Sequence, residues 1–134
     1  MKKTDLAYVA GIVDGEGCIY LEHNSKGKSF QLSVSVGSTD AWICEWLKFA
    51  FGGCTYEMKT KNMPMRKWEI RTKQAGQFLE SILPYLRLKK PQAELAIQFQ
   101  KARNPGPGIR RTDAQRAVEE AQYILMKNLK RQKV

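Results

Sequence analysis

The stretch VAGIVDGEG, residues 9–17, decides how this chain is read. Val9, Ala10, Ile12 and Val13 have the spacing of an apolar helix. Gly11 interrupts that helix, Gly15 and Gly17 terminate it, and two acids, Asp14 and Glu16, lie between the terminators. A helix C-terminus already carries partial negative charge, so carboxylates there cost stability unless something positive binds. Ala7, Gly11 and Gly15 recur every four residues and share one helix face, where small side chains let a second helix backbone approach closely. The sequence contains one such helix, so its natural partner is the same helix in a second copy, related by a two-fold axis. Two sets of Asp14 and Glu16 would then meet. Paired acids repel unless cations lie between them, and hard oxygen donors with exposed helix-end carbonyls favour Mg²⁺ or Mn²⁺.

Working outward, Thr4 can cap this first helix, which is expected to end near Val13 or Asp14. CIYLEH (18–23) and FQLSVSVGS (30–38) alternate as strands, joined by a hairpin loop NSKGKS (24–29). Phe30, Leu32, Val34 and Val36 share the apolar face, and Gln31, Ser33 and Ser35 the polar one. After Thr39 or Asp40 as cap, Trp42, Ile43, Trp46, Leu47 and Ala50 follow helical spacing, closed by FGG (51–53). A second alternating pair follows across the turn KNMPM (61–65). Tyr56 and Met58 are expected on the apolar face, opposite Thr55, Glu57, Lys59 and Lys61. Trp68 and Ile70 are likewise opposed to Lys67, Glu69 and Arg71. Ala75, Phe78, Leu79, Ile82 and Leu83 form an amphipathic helix ended by Pro84. Pro91 suits the first turn of a helix running to about Arg103. NPGPG (104–108) breaks the chain. Thr112 with Gln115 forms the pattern of a capping box, opening a last helix with the stripe Ala114, Ala117, Val118, Ala121, Ile124, Leu125 and Leu129.

The order α-ββ-α-ββ-α, then two further helices, describes an α+β fold with a four-stranded antiparallel sheet. Helices cover one face and leave the other polar and basic. A chain of 134 residues, 43% hydrophobic, suits one domain spanning residues 1–134, with a core of about 4–103 and a C-terminal helix of about 112–130. No apolar run is long enough for a membrane span, and MKKTDL lacks the apolar region of a secretory signal, so an intracellular protein is expected. Cys18, Cys44 and Cys54 have no CxxC spacing and read as buried thiols. The single histidine, His23, argues against His-based metal or triad chemistry. The net charge is +10, and most of the excess lies beyond residue 86. A polyanionic partner follows, nucleic acid first. Divalent metal beside a sheet that can hold DNA implies phosphodiester hydrolysis by metal-activated water.

LAYVAGIVDGEGCIYLE (6–22) resembles the LAGLIDADG signature of homing endonucleases. The likeness continues through FQLSVSVGSTD (30–40), FGG and LESILPYLRLKKPQAEL (79–95), over about residues 5–103. The resemblance implies that family's fold, with a saddle-shaped DNA-binding sheet, and a homodimer, since one signature per chain makes half of an enzyme. It implies a site-specific endonuclease cutting both strands of a long, nearly palindromic duplex, with Mg²⁺ as cofactor and Mn²⁺ able to substitute. No membrane or small-molecule substrate is expected.

The resemblance also assigns roles by position. Glu16 is the catalytic metal ligand, completed by the Gly15 carbonyl. Asp14 is the inner acid, a secondary catalytic candidate that in such proteins often caps a neighbouring helix. Lys89, or its neighbour Lys90, stabilises charge near the scissile phosphate. Ser38 stands near a water-ordering position that often holds Gln. Ala7, Ala10 and Gly11 form the dimer interface. The DNA-contacting face comprises Gln31, Ser33, Ser35, Glu57, Lys59, Lys61, Lys67, Glu69, Arg71 and Lys73. Within it the planar fork of Arg71 can bond a guanine, whereas Lys130 in the basic tail can meet only phosphates. An RNA-binding intron maturase and a non-cleaving DNA-binding regulator are the rival readings on the same fold.

Overall fold

The computed structural model describes residues 1–23, 29–59, 64–103 and 112–131. The loop NSKGKS up to Lys28, most of the turn KNMPM with Lys61, and the break NPGPG lie outside the described residues. Helix α1 (Lys3–Glu16) leads without a linker into strand β1 (Gly17–His23). The junction needs glycine, because a Cβ on Gly17 would lie 2.8 Å from both Cα and O of Val13. α1 runs unbroken through Gly11 and extends past Asp14. Its N-cap is Lys2 rather than Thr4, because the Lys2 carbonyl takes the N–H groups of Asp5 and Leu6 at 3.0 and 3.1 Å.

Strand β2 (Phe30–Ser38) is followed by α2 (Ala41–Phe51), capped by the Asp40 carboxylate, which accepts from the Trp42 N–H at 3.0 Å. Strands β3 (Cys54–Met58) and β4 (Met65–Arg71) come next, then α3 (Thr72–Ile82) and a 3₁₀ turn (Leu83–Tyr85) holding Pro84. Helices α4 (Lys90–Ala102) and α5 (Asp113–Arg131) complete the order. All four strands form one antiparallel sheet in the order β1-β2-β4-β3. Ile19, Leu32, Val34, Val36, Trp68 and Ile70 fill its inner face. Above them pack Val9, Ala10 and Val13 of α1, Leu47 of α2, Phe78 and Leu79 of α3, and Ala96 and Phe99 of α4. The fully buried Trp68 donates its indole N–H to the Gly52 carbonyl at 2.8 Å and meets Phe78 edge-on. Burying such a side chain contributes about 1.5–3 kcal/mol.

Strand β3 sits the opposite way up from the reading of its apolar residues. Tyr56 and Met58 lie on the open face, more than a third exposed, while Thr55 and Glu57 lie on the helix side. There Thr55 and Arg66 both donate to Glu45 of α2, at 3.1 and 3.0 Å, and Arg66 also pairs with Glu57 at 3.9 Å. The preceding glycines impose this. Gly52 and Gly53 both have left-handed φ, 89° and 86°, and a Cβ on Gly53 would come within 2.4 Å of the Glu69 carbonyl. The chain therefore re-enters the sheet with Cys54 opposite Glu69, and α2 presents that edge strand with a carboxylate rather than an apolar surface.

The last helix opens on the expected capping box: the Thr112 N–H donates to Gln115 Oε1 at 2.9 Å, and the Gln115 N–H to Thr112 Oγ1 at 3.1 Å. Its packed stripe shares only Leu129 with the expected one. Met126 is 1% exposed, and Tyr123 stacks on Phe30 and against His23 along the β1 edge. Val118, Ile124 and Leu125 remain half-exposed. The three cysteines are free, but only Cys44 is buried; Cys18 is partly covered and Cys54 exposed. No described helix is long and apolar enough to cross a membrane.

Candidate active site and nucleic-acid interface

The two acids at the end of α1 have separate fates. Both oxygens of Asp14 are used by backbone N–H groups of the segment entering α4. Oδ2 accepts from Arg87 at 2.9 Å, and Oδ1 from Leu88 and Lys89 at 3.1 and 2.9 Å. In return the Lys89 ammonium donates to the last carbonyls of α1, Val13 O at 3.0 Å and Asp14 O at 2.7 Å. The positive group that the helix end requires is therefore Lys89 itself. Asp14 is a cap that holds Lys89 in place, and its engaged oxygens remove it from the candidate catalytic acids. Glu16 is exposed and makes no hydrogen bond or ion pair with any described residue. Gly15 beside it is exposed as well, and a Cβ there would meet nothing within 4 Å.

Next to this end lies a cavity of about 100 Å³ lined by Gly17, Cys18, Lys89, Gln92 and Lys130. Lys130 of α5 thus stands beside the end of α1 rather than in an outlying tail. Its ammonium lies 3.1 Å from Cys18 Sγ and 5.4 Å from the centre of the Tyr20 ring. A groove of about 480 Å³ continues across the open sheet face, with Lys67, Lys127 and Lys130 in its walls.

On that face the polar residues are bonded to one another. Glu69, 4% exposed, accepts from Tyr20 Oη at 2.9 Å, Arg71 Nε at 3.2 Å and Tyr56 Oη at 3.2 Å. Burial pushes the Glu69 carboxyl up, but these hydrogen bonds outweigh it and hold the group below the usual carboxylate range. Burial and then Glu69 raise both tyrosines, which stay protonated donors. Glu22 accepts from Gln31 Nε2 at 2.9 Å and Ser33 Oγ at 2.8 Å.

Among solved structures the chain is similar to the homing endonuclease I-CvuI. Bound to the I-CreI target with magnesium, and with the DNA not cleaved, that protein matches at 26% identity and TM-score 0.76, over 98% of this chain and 85% of that one. Bound to its own target with calcium, it matches at 26% and TM-score 0.75, over 97% and 84%. The homing endonuclease I-TnaI shares the fold at 19% identity and TM-score 0.64, over 94% and 93%. No sequence-family profile and no curated relative matches. The chain has the fold of the LAGLIDADG homing endonucleases.

On this fold, several expected site residues lie where the sequence places them and others do not. Lys89 reaches the end of α1 that carries Gly15 and Glu16, through the Val13 and Asp14 carbonyls. Ala7 and Gly11 line the exposed side of α1, but Ala10 is fully buried under the sheet and cannot meet a second copy. Gln31, Lys67 and Arg71 reach the open face. Ser33 and Ser35 are on that face but are 0% and 3% exposed, and Glu69 is covered by its partners. Glu57 is on the helix side, Lys59 follows the end of β3, and Lys73 lies in the first turn of α3 rather than in the hairpin. Ser38 Oγ accepts from the Asp40 N–H at 3.0 Å, a turn role at the entry to α2. Tyr20 and Tyr56 escaped the sequence reading. The signal was present: Tyr20 alternates with Ile19 and Leu21, which places it on the polar face of β1.

Proposed function

We propose that this chain is a site-specific DNA endonuclease that pairs with a second copy through α1 and cuts both strands of a long, nearly palindromic duplex, using Mg²⁺, for which Mn²⁺ can substitute. One observation carries the reading: Glu16 alone is left free at a helix end where Asp14 and Lys89 have neutralised each other's backbone partners. The DNA complexes of I-CvuI support a duplex substrate.

The donor set fits a hard divalent cation. The Glu16 carboxylate and the Gly15 carbonyl are oxygen donors, and Glu16 is uncommitted. Among the described residues of one chain no three acidic, Cys or His side chains converge. The proposed ligand set is therefore shared by two α1 ends. Bound there, the metal would supply a Lewis acid and an activated water. The chain's own residues do the rest. Lys89, anchored by the Asp14 cap, places positive charge beside the helix end, where it offsets charge developing on a scissile phosphate. Lys67, Lys127 and Lys130 hold backbone phosphates, and the sheet presents Gln31 and Arg71 to the major groove.

The test is cleavage of a plasmid carrying a site recovered by binding selection, with Mg²⁺ against Ca²⁺. Linear product with Mg²⁺, and its loss in Glu16→Gln with duplex binding intact, is expected. Cleavage by Glu16→Gln at the wild-type rate removes Glu16 from the metal site. Binding to structured RNA with no duplex binding favours the maturase reading, and tight duplex binding without cleavage favours the regulator.

A further inference from the structure

The open face of the sheet carries two carboxylates at positions where a phosphate-rich ligand is expected, and neither is free. An ionised carboxylate only accepts hydrogen bonds. Glu69 is already occupied by Tyr20, Tyr56 and Arg71, and at 4% exposure it cannot reach a base edge. What it does is grip Arg71 by Nε. The Arg71 side chain is otherwise 53% exposed, and no described residue bonds its two terminal nitrogens. Held by Nε, the guanidinium has a fixed plane and keeps a two-donor edge, the complement of guanine O6 and N7.

Glu22 treats Gln31 the same way. Because the carboxylate only accepts, the Gln31 amide must turn its nitrogen toward it, at 2.9 Å. That orientation leaves one N–H and the carbonyl oxygen, the donor and acceptor that adenine N7 and N6 require. Ser33 is opposite Arg71 in the register, so Gln31 is the diagonal neighbour of Arg71 on the same face, about 7–8 Å away. Base pairs rise about 3.4 Å along the duplex.

We infer that Glu69 and Glu22 are positioning residues that commit Arg71 to a guanine and Gln31 to an adenine one or two base pairs apart. The inference rests on the proposal that this face binds duplex DNA. Binding selection from a duplex library with randomised base pairs tests it without requiring cleavage. The proteins compared are wild type, Arg71→Ala, Glu69→Gln, Glu22→Gln and Tyr56→Phe. The expected result is that wild type selects a guanine and a nearby adenine. Arg71→Ala and Glu69→Gln should both relax the guanine column, by about tenfold, with the other columns unchanged. Glu22→Gln should relax the adenine column alone, because a Gln at 22 also tolerates the flipped amide. Tyr56→Phe, at the exposed sheet edge, removes one hydrogen bond from Glu69 and should relax the guanine column by about two- to threefold. This variant keeps the test decisive if replacing the buried Glu69 disrupts folding.

A guanine column unchanged in Tyr56→Phe and Glu69→Gln but lost in Arg71→Ala overturns the positioning role. A uniform loss across all columns in both Glu69→Gln and Tyr56→Phe does the same, since that is the result of a structural defect. Duplex binding with a profile indifferent to Arg71→Ala overturns this inference while leaving DNA binding standing. Failure of wild type to retain any duplex overturns the proposed function as well.

Discussion

Asp14 and Glu16 are two residues apart, carry the same charge, and do different work because only one of them meets a row of backbone N–H groups. Asp14→Asn keeps the shape but turns one acceptor into a donor facing those N–H groups. These bonds are exposed or half-buried, and losing such a cap costs about 0.5–2 kcal/mol, so urea unfolding should show a loss of that size. Glu16→Gln, at an exposed and unpartnered position, should stay within about 0.5 kcal/mol of wild type. Equal effects from both variants would contradict the division of labour. Glu69 makes a prediction in pH. Its folded carboxyl lies below the usual 4.5, so ionised Glu69 stabilises the native state above that value, and the contribution fades as pH falls through the lower folded value. The stability difference between wild type and Glu69→Gln should therefore be largest above pH 4.5 and narrow below it. A difference that stays constant down the acid limb would show that the hydrogen bonds do not depend on the charge.

At the scale of elements, α5 shows how a correct period can carry the wrong phase. The sequence presents a clean stripe through Ala114, Val118, Ala121 and Leu125. Of the expected stripe only Leu129 packs on the core; the helix packs mainly through Tyr123 and Met126, because Phe30 and His23 at the sheet edge offer an aromatic shelf that a tyrosine ring covers better than alanines do. Met126→Ala should cost about 2–5 kcal/mol, whereas Leu125→Ser should be nearly neutral, within about 0.5 kcal/mol. Thermal unfolding distinguishes them, and a larger loss from Leu125→Ser would restore the original stripe. The same lesson holds for β3. Alternation told which of its residues share a face, and not which face, since an edge strand has no buried neighbour on both sides to choose for it.

For the whole molecule, the exposed line of Ala7, Gly11 and Gly15 is the feature that one chain leaves unfilled. A Cβ on Gly11 meets nothing within 4 Å, so Gly11→Leu should not disturb the isolated fold. Replacing glycine inside a helix should even stabilise that fold, by about 0.8–1 kcal/mol. If two α1 helices cross here, the same variant separates them. Sedimentation should then show a wild-type dimer and a Gly11→Leu monomer with an equal or higher melting temperature. A variant that stays dimeric removes Gly11 from the crossing.

By itself the sequence determined the elements and their order. Those depend on local chemistry: alternation in the strands, 3.6-residue spacing in the helices, the Asp40 and Thr112–Gln115 caps, and glycines where α1 meets β1. The acid-bearing helix end was legible for the same reason, because Glu16, Gly15 and the small-residue face lie within one short stretch. Lys89 could be matched by position through the family resemblance, but its bonds to Val13 and Asp14 join residues more than seventy positions apart. Only the tertiary structure decided which acid was consumed, that Glu69 sits beneath Tyr20, Tyr56 and Arg71, and that Lys130 belongs beside the end of α1. Those outcomes depend on which groups meet across the sheet and on which are withdrawn from water, and a hydrogen bond or a desolvated charge is a property of the pair rather than of either residue.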